Sequence, residues 1–118
     1  KNLYTRRRDY RDSEFSGEKA EKFPPFVVAT DEAHNFAPRS SQSPSKDVMR
    51  EIAQEGRKYG VFLMLATQRP ALLDDTVTAQ LSTKIIFRTV RSVDIATIKE
   101  ETDISPDEAN RLPYMASG

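Results

Sequence analysis

Three short apolar runs organise this chain. The first covers residues 26–30, the second 61–66, and the third 84–89 around Ile85-Ile86-Phe87. The valines of the first run suit a pleated, buried strand. The second run is apolar at every position, which predicts a strand covered on both faces, as in a parallel sheet. Parallel pairing needs a crossover, and the spacing supplies one. Between the first two runs Val48, Met49, Ile52, Ala53 and Tyr59 fall on one helical face over residues 46–59. Ser45 is placed to cap that helix and Gly60 to end it in the left-handed conformation. The pattern further predicts a short helix within residues 72–81, with Asp74 or Asp75 near its start. Another helix is expected over 92–101, capped by Ser92, with Val93, Ile95, Ala96 and Ile98 apolar. Ser105-Pro106-Asp107-Glu108 combines a serine cap, proline at the first helical position and a capping-box glutamate. Phe23-Pro24-Pro25 marks the entry to the first strand, residues 37–44 read as a Ser/Pro-rich loop, and no internal repeat is found. The expectation is an α/β fold with three parallel strands in one sheet.

The first 22 residues do not join this pattern. They carry Arg6-Arg7-Arg8 and then Glu14, Glu18 and Glu21, with Tyr4, Tyr10 and Phe15 scattered without period. They read as a charged arm or surface insertion. A DNA-contacting arm is the sharper alternative, weakened by the acidic residues. Eighteen basic and eighteen acidic residues balance, so net charge gives no argument for nucleic acid. With no cysteine, disulfides and cysteine metal sites are excluded, and the lone His34 makes no zinc site. His34 is expected to hydrogen-bond locally or to relay the state of a bound ligand. The apolar runs are too short to cross a bilayer.

The strongest chemical signal is the end of the first run, where Phe26-Val27-Val28-Ala29-Thr30 stops at Asp31-Glu32. A buried strand ending in two carboxylates can serve a magnesium-bound nucleoside triphosphate. One carboxylate holds the metal, usually through water, and the other polarises the water that attacks the terminal phosphate. An ion pair or a helix cap is the plain alternative. The second run ends in Thr67-Gln68-Arg69-Pro70 and the third in Arg88. Ligands of open α/β sheets bind beyond the carboxyl ends of the strands. Asp31, Gln68 and Arg88 are therefore expected at one sheet edge.

The order Asp-Glu-Ala-His-Asn-Phe, Glu-Gly-Arg-Lys-Tyr-Gly, Ala-Thr-Gln-Arg-Pro, Thr-Lys-Ile-Ile-Phe-Arg closely resembles the HerA branch of the HerA/FtsK ATPases. These are P-loop proteins of RecA-like fold that form hexameric rings and move or unwind DNA. The resemblance runs from about Pro25 to Gly118 and makes residues 25–118 the C-terminal part of a RecA-like ATPase domain, with residues 1–24 outside it. It implies that Asp31 is the magnesium-associated carboxylate and Glu32 the catalytic base of a Walker B motif. It makes Gln68 a sensor of the terminal phosphate, a role that suits an amide able to donate and accept. It places Arg57 as an arginine finger reaching the neighbouring subunit's nucleotide. Arg88 becomes a second phosphate-facing arginine, with a structural pair to Asp31, Glu32 or Asp94 as its alternative. The implied cofactors are ATP and Mg2+. The implied partners are DNA, identical subunits in a hexamer and a nuclease, in the cytoplasm.

The chain departs from that family in one respect. It has no Gly-x-x-x-x-Gly-Lys-Ser/Thr loop to cradle phosphates; its glycines stand at 17, 56, 60 and 118. It therefore reads as a fragment of an ATPase core, inactive alone. Asp-Glu-Ala-His also opens a DEAH-box helicase reading, but no Ser-Ala-Thr follows the second run and no Gln-x-x-Gly-Arg-x-x-Arg comes later. A degenerate ATPase remnant acting as a binding module is the remaining alternative.

Overall fold

The computed structural model of the chain describes residues 2–19 and 21–116. Lys1 and Ala20 of the 1–24 segment, and Ser117-Gly118 at the end of 25–118, lie outside the described residues. The elements in order are helix α1 (Leu3–Ser16), strand β1 (Phe26–Thr30), a 3-10 turn (Ala33–Asn35), helix α2 (Lys46–Tyr59), strand β2 (Val61–Leu65) and a second 3-10 turn (Pro70–Leu72). Helices α3 (Asp75–Gln80), α4 (Ser92–Glu101) and α5 (Pro106–Arg111) follow, with a last 3-10 turn at Leu112–Tyr114.

β1 and β2 pair in parallel, Phe26 opposite Val61 through Thr30 opposite Leu65. α2 is the crossover between them, and it lies on one face of this two-stranded sheet. Lys46, Met49, Ile52 and Gly56 are its buried positions. Two apolar clusters form beneath it. Tyr4, Ile52 and Val61 make one, with Phe26, Val28 and Leu63 packed against them. Ala33, Ala37, Met49, Leu73 and Val77 make the other, with Ala53 and Leu65 at its margin. Gly60 ends α2 at φ 71°, as its position predicted.

The structure differs from the sequence pattern in four places. First, β2 is not covered on both faces within this chain. Phe62 and Met64 are exposed, 50% and 68%, beside exposed Val27 on β1. The sheet has helix on one side only, so every second residue of the apolar run meets solvent. Second, residues 84–89 form no strand. Their backbone finds no ladder partner among the described residues, and Ile85 and Phe87 stand 77% and 67% exposed. A strand is defined by its neighbour, and an isolated apolar run has no means of satisfying its backbone as sheet.

Third, the opening segment is a helix rather than a loose arm. Asn2 caps it by accepting from Thr5 N at 2.8 Å, and Gly17 ends it at φ 75°. Its buried residues are Tyr4, Arg7 and Ser13, so two polar side chains point inward where an apolar stripe was sought. Fourth, the two serine caps differ from expectation in different ways. Ser45 holds the N-cap position of α2, but its hydroxyl donates to Phe36 O at 2.7 Å and accepts no bond from the helix amides. Ser92 is the first residue of α4, whose cap position is Arg91. The capping box at Ser105 and Glu108 is present as expected.

Candidate nucleotide-handling site

The two strands place their following residues side by side. Beyond the ladder, Ala66 N donates to Thr30 O and Ala33 N to Ala66 O, each at 2.9 Å. These two bonds carry the parallel alignment past the strand ends. They set Asp31-Glu32 next to Ala66-Thr67-Gln68 at the carboxyl edge of the sheet, where open α/β sheets bind ligands.

Glu32 is the one non-glycine residue at positive φ among the described residues (φ 47°, ψ 48°). A left-handed glutamate costs about 1 kcal/mol or more. Asp31 Oδ1 helps to hold the turn by accepting from Glu32 N at 2.8 Å. The resulting bend carries the Glu32 side chain back toward the 3-10 turn, where His34 Nδ1 lies 3.4 Å from its Oε2. That oxygen is buried and has no hydrogen-bond partner. Asp31, by contrast, is exposed.

His34 Nδ1 also lies 2.8 Å from Thr67 Oγ1, which in turn accepts from Arg69 N at 3.1 Å. The histidine thus joins the carboxylate turn of β1 to the polar loop after β2. The sequence led to an expectation of a local hydrogen bond for His34, but its hydroxyl partner lies thirty-three residues away. Thr67 was not singled out. Its only sequence signal is its place directly before Gln68, at the end of an apolar run. Gln68 is exposed beside it.

Arg57 and Arg88 do not join this edge. Arg57 is exposed on the last turn of α2, next to the start of β2. It is separated from Glu32 by the length of the five-residue ladder, roughly 17 Å at strand rise. It borders a groove also lined by Ile52, Phe62, Leu63, Gln80 and Thr83. Arg88 Nε donates to Pro113 O at 3.0 Å, so it serves the C-terminal segment. Of the expected gathering, the backbone pairing sets the residues after β1 and β2, Asp31 and Gln68 among them, side by side, while Arg88 follows no strand and is engaged with Pro113 O. Asp94, one of the proposed partners of Arg88, is buried. It accepts from Ala71 N at 3.0 Å and faces Arg91 at 3.7 Å.

The loop after β2 is anchored from behind. Asp74 is buried and caps α3, accepting from Val77 N at 3.2 Å. Arg50 of α2 grips the same carboxylate with two bonds of 3.0 and 2.7 Å, and Lys46 Nζ lies at 3.4 Å. The Arg50 guanidinium, the Val77 amide and Lys46 hold the Asp74 carboxyl below its ordinary range, against the opposing effect of burial.

An exposed aspartate and a strained glutamate with an unpartnered buried oxygen fit the protein's share of a magnesium–nucleotide site. Mg2+ commonly takes one or two carboxylates, its remaining positions going to water and substrate phosphates. Among the described residues no cluster of three or more acidic, histidine or cysteine side chains could hold a metal alone. No helix among them is long and apolar enough to cross a membrane.

No family model matches the chain. Individual relatives do. It is 34% identical over 113 residues to the DNA double-strand break repair helicase HerA of Saccharolobus solfataricus, covering 95% of this chain and 22% of that protein. It is 38% identical over 95 residues to the helicase of the same name from Pyrococcus furiosus, covering 80% of this chain and 17% of that one. DNA translocase FtsK 2 of Neisseria meningitidis is 30% identical over 86 residues, 71% of this chain and 8% of its own length. The Saccharolobus match takes in most of the segment before Pro25, so the likeness is wider than the four quoted motifs suggested. The chain spans about a fifth of the length of the HerA helicases it matches. Over that span, with its parallel α/β core and its paired strand-end loops, it belongs to the HerA/FtsK family of ATPases.

Proposed function

We propose that this chain is the carboxylate-and-sensor part of an ATP-driven DNA translocase or helicase motor. The observation that carries the reading is the extension of the β1–β2 pairing past the strand ends. It sets Asp31-Glu32 against Thr67-Gln68, with His34 between them.

In this reading Asp31 is the exposed carboxylate that holds Mg2+ through water. The metal, when present with ATP, neutralises charge on the phosphates. Glu32 orients and polarises the attacking water, and the left-handed turn aims its carboxylate. A strained conformation at a candidate base is an expected form of preorganisation. Gln68 reads the terminal phosphate with a neutral amide. Arg57 stands a strand length away from its own Glu32, which suits action on a neighbouring subunit's nucleotide in a homo-hexameric ring. Arg88 retains at most a supporting role near the phosphates, since its guanidinium is engaged with Pro113 O. The parent protein would use ATP and Mg2+, act on DNA in the cytoplasm and work with a nuclease. The phosphate loop would come from outside this stretch of sequence, and the chain alone would not turn over ATP.

The test is Glu32→Gln in the full-length parent. The amide preserves shape and removes the base. The expected result is ATP binding like wild type with hydrolysis lost by 10²-fold or more, roughly the contribution of general-base catalysis. Near-normal turnover would remove Glu32 from the reaction.

A further inference from the structure

The arginine finger proposed above needs a fixed base, and the C-terminal cap of α2 supplies part of one: Gly60 N donates to the Arg57 and Gly56 carbonyls, whereas the Tyr59 carbonyl is met by a side chain from another helix. The last turn of a helix leaves four carbonyls without intrahelical partners. Gly60 directly follows Tyr59, the final residue of α2, and turns the chain sharply into β2. Arg57 sits on that terminal turn.

Arg7 of α1 closes this end. It is 7% exposed, and its Nε donates to Tyr59 O at 2.5 Å while Nη1 donates to Phe23 O at 2.5 Å. A cation at a helix C-terminus also meets the negative end of the helix dipole. The fit is close. A Cβ on Gly60 would lie 3.3 Å from Arg7 Nη2 and 3.0 Å from Pro25 Cβ. Two more contacts fix α1 to the same helix. Arg8 Nη1 meets Glu51 Oε1 at 2.6 Å, and the Tyr4 and Tyr59 rings pack edge to face with centroids 6.0 Å apart.

A buried guanidinium is a costly way to join two helices, since an apolar side chain of similar volume packs without desolvating a charge. What the fork adds is orientation, because two directed bonds, one to Tyr59 O and one to Phe23 O, tie the end of α2 to the segment before β1 in a way that apolar packing does not. We propose that Arg7 is a positioning residue for Arg57: by clamping the C-terminal turn of α2, it sets the direction in which Arg57 meets the adjoining subunit. The proposal rests on the reading of Arg57 given above.

The experiment uses the full-length parent protein with Arg7→Met, Arg7→Lys, Arg57→Ala and Glu32→Gln. Methionine keeps bulk and loses both donors, whereas lysine keeps charge and loses the fork. Arg7→Met is expected to lower kcat by ~10-fold or more, a loss of about 1.4 kcal/mol of transition-state stabilisation, with ATP affinity unchanged. Arg7→Lys is expected to fall between Arg7→Met and wild type. Mixing Arg7→Met subunits with Glu32→Gln subunits should restore activity. Some interfaces of the mixed ring then pair an intact Glu32 with an Arg57 on a properly clamped helix. Arg57→Ala inactive with Arg7→Met at wild-type kcat overturns the clamp and leaves the finger standing. Arg57→Ala fully active overturns the finger and the clamp with it. Loss of ATP affinity in step with kcat, or no recovery in mixed rings, makes Arg7 a structural residue only. If Arg7→Met fails to assemble, Arg7→Lys is read by the same criteria, and a wild-type kcat there overturns the proposal.

Discussion

Gly56→Ala sets two effects of opposite sign against each other. Gly56 lies inside α2, where alanine is favoured over glycine by about 1 kcal/mol on intrinsic helix propensity. The structure argues the other way. A Cβ at this position would stand 2.5 Å from the backbone oxygen of Val61 and 2.9 Å from Cγ2 of Ile52. The oxygen belongs to the first residue of β2, paired opposite Phe26, so relief requires the helix to move off the strand. Overpacking of this kind costs about 1–3 kcal/mol. The steric term is the larger, and the net expectation is destabilisation by about 1 kcal/mol. Urea denaturation of the chain, followed by far-ultraviolet circular dichroism, measures it as a lower midpoint at unchanged slope. In the full-length parent the same displacement would shift the neighbouring Arg57 and lower kcat. A variant more stable than wild type by the propensity difference would refute the close approach of α2 to β2.

Three further outcomes are expected. Asp74→Asn keeps a capping oxygen but removes the charge facing Lys46 and Arg50, and should cost about 2 kcal/mol, since Lys46 Nζ keeps the Arg39 and Ser41 carbonyls as acceptors and Arg50 is part exposed. Because the folded Asp74 carboxyl lies below its ordinary value of 3.8, its contribution is complete above that value and is lost as pH falls through the folded pKa. Acid titration of stability should therefore show a limb below about pH 4 that Asp74→Asn lacks. Tyr4→Phe removes a buried hydroxyl without a hydrogen-bond partner and should leave stability unchanged or raise it by up to about 1 kcal/mol. Burial, with Glu51 adding to it, pushes the Tyr4 phenol up to about 12. Wild type should thus lose stability between pH 10 and 12 by an amount that the phenylalanine variant retains. Finally, calorimetry with Mg2+ and ATP should find no tight binding to this chain alone, since Asp31 and Glu32 lack a phosphate-cradling loop; tight magnesium-dependent binding would contradict this.

Where residues follow a single local rule, the sequence was readable. α2 was legible from end to end because its apolar face repeats at helical spacing and Gly60 closes it. β1 and the start of β2 were legible because each begins after proline or glycine and ends at polar residues. The capping box of α5 is a local arrangement and survived folding intact. α1 was missed because its inward side is made by Tyr4, Arg7 and Ser13, and an arginine bound to carbonyls fifty-two and sixteen residues away leaves no periodic trace. Residues 84–89 failed for the opposite reason: their apolar pattern is strand-like, but the neighbour that would make them a strand is not among the described residues. At the candidate site, Asp31, Glu32 and Gln68 were legible as the polar residues that directly follow the two strands. The His34–Thr67 contact was beyond reach, since it joins residues thirty-three apart through a turn whose left-handed glutamate no propensity predicts.

The parallel pairing of β1 with β2 also constrains the order in which the chain folds. No hairpin can nucleate it, because Phe26 must find Val61 across the whole crossover. Closing that connection as open coil costs entropy that grows with its length, and helix formation within it leaves less coil to close. Once formed, the fourteen residues of α2 span about 21 Å, against roughly 17 Å for the ladder they must run back along. The helix is thus a rod of nearly the right length to bring β2 into register. Substitutions in α2 should slow folding, whereas those confined to Val27 or Met64 should act mainly by speeding unfolding.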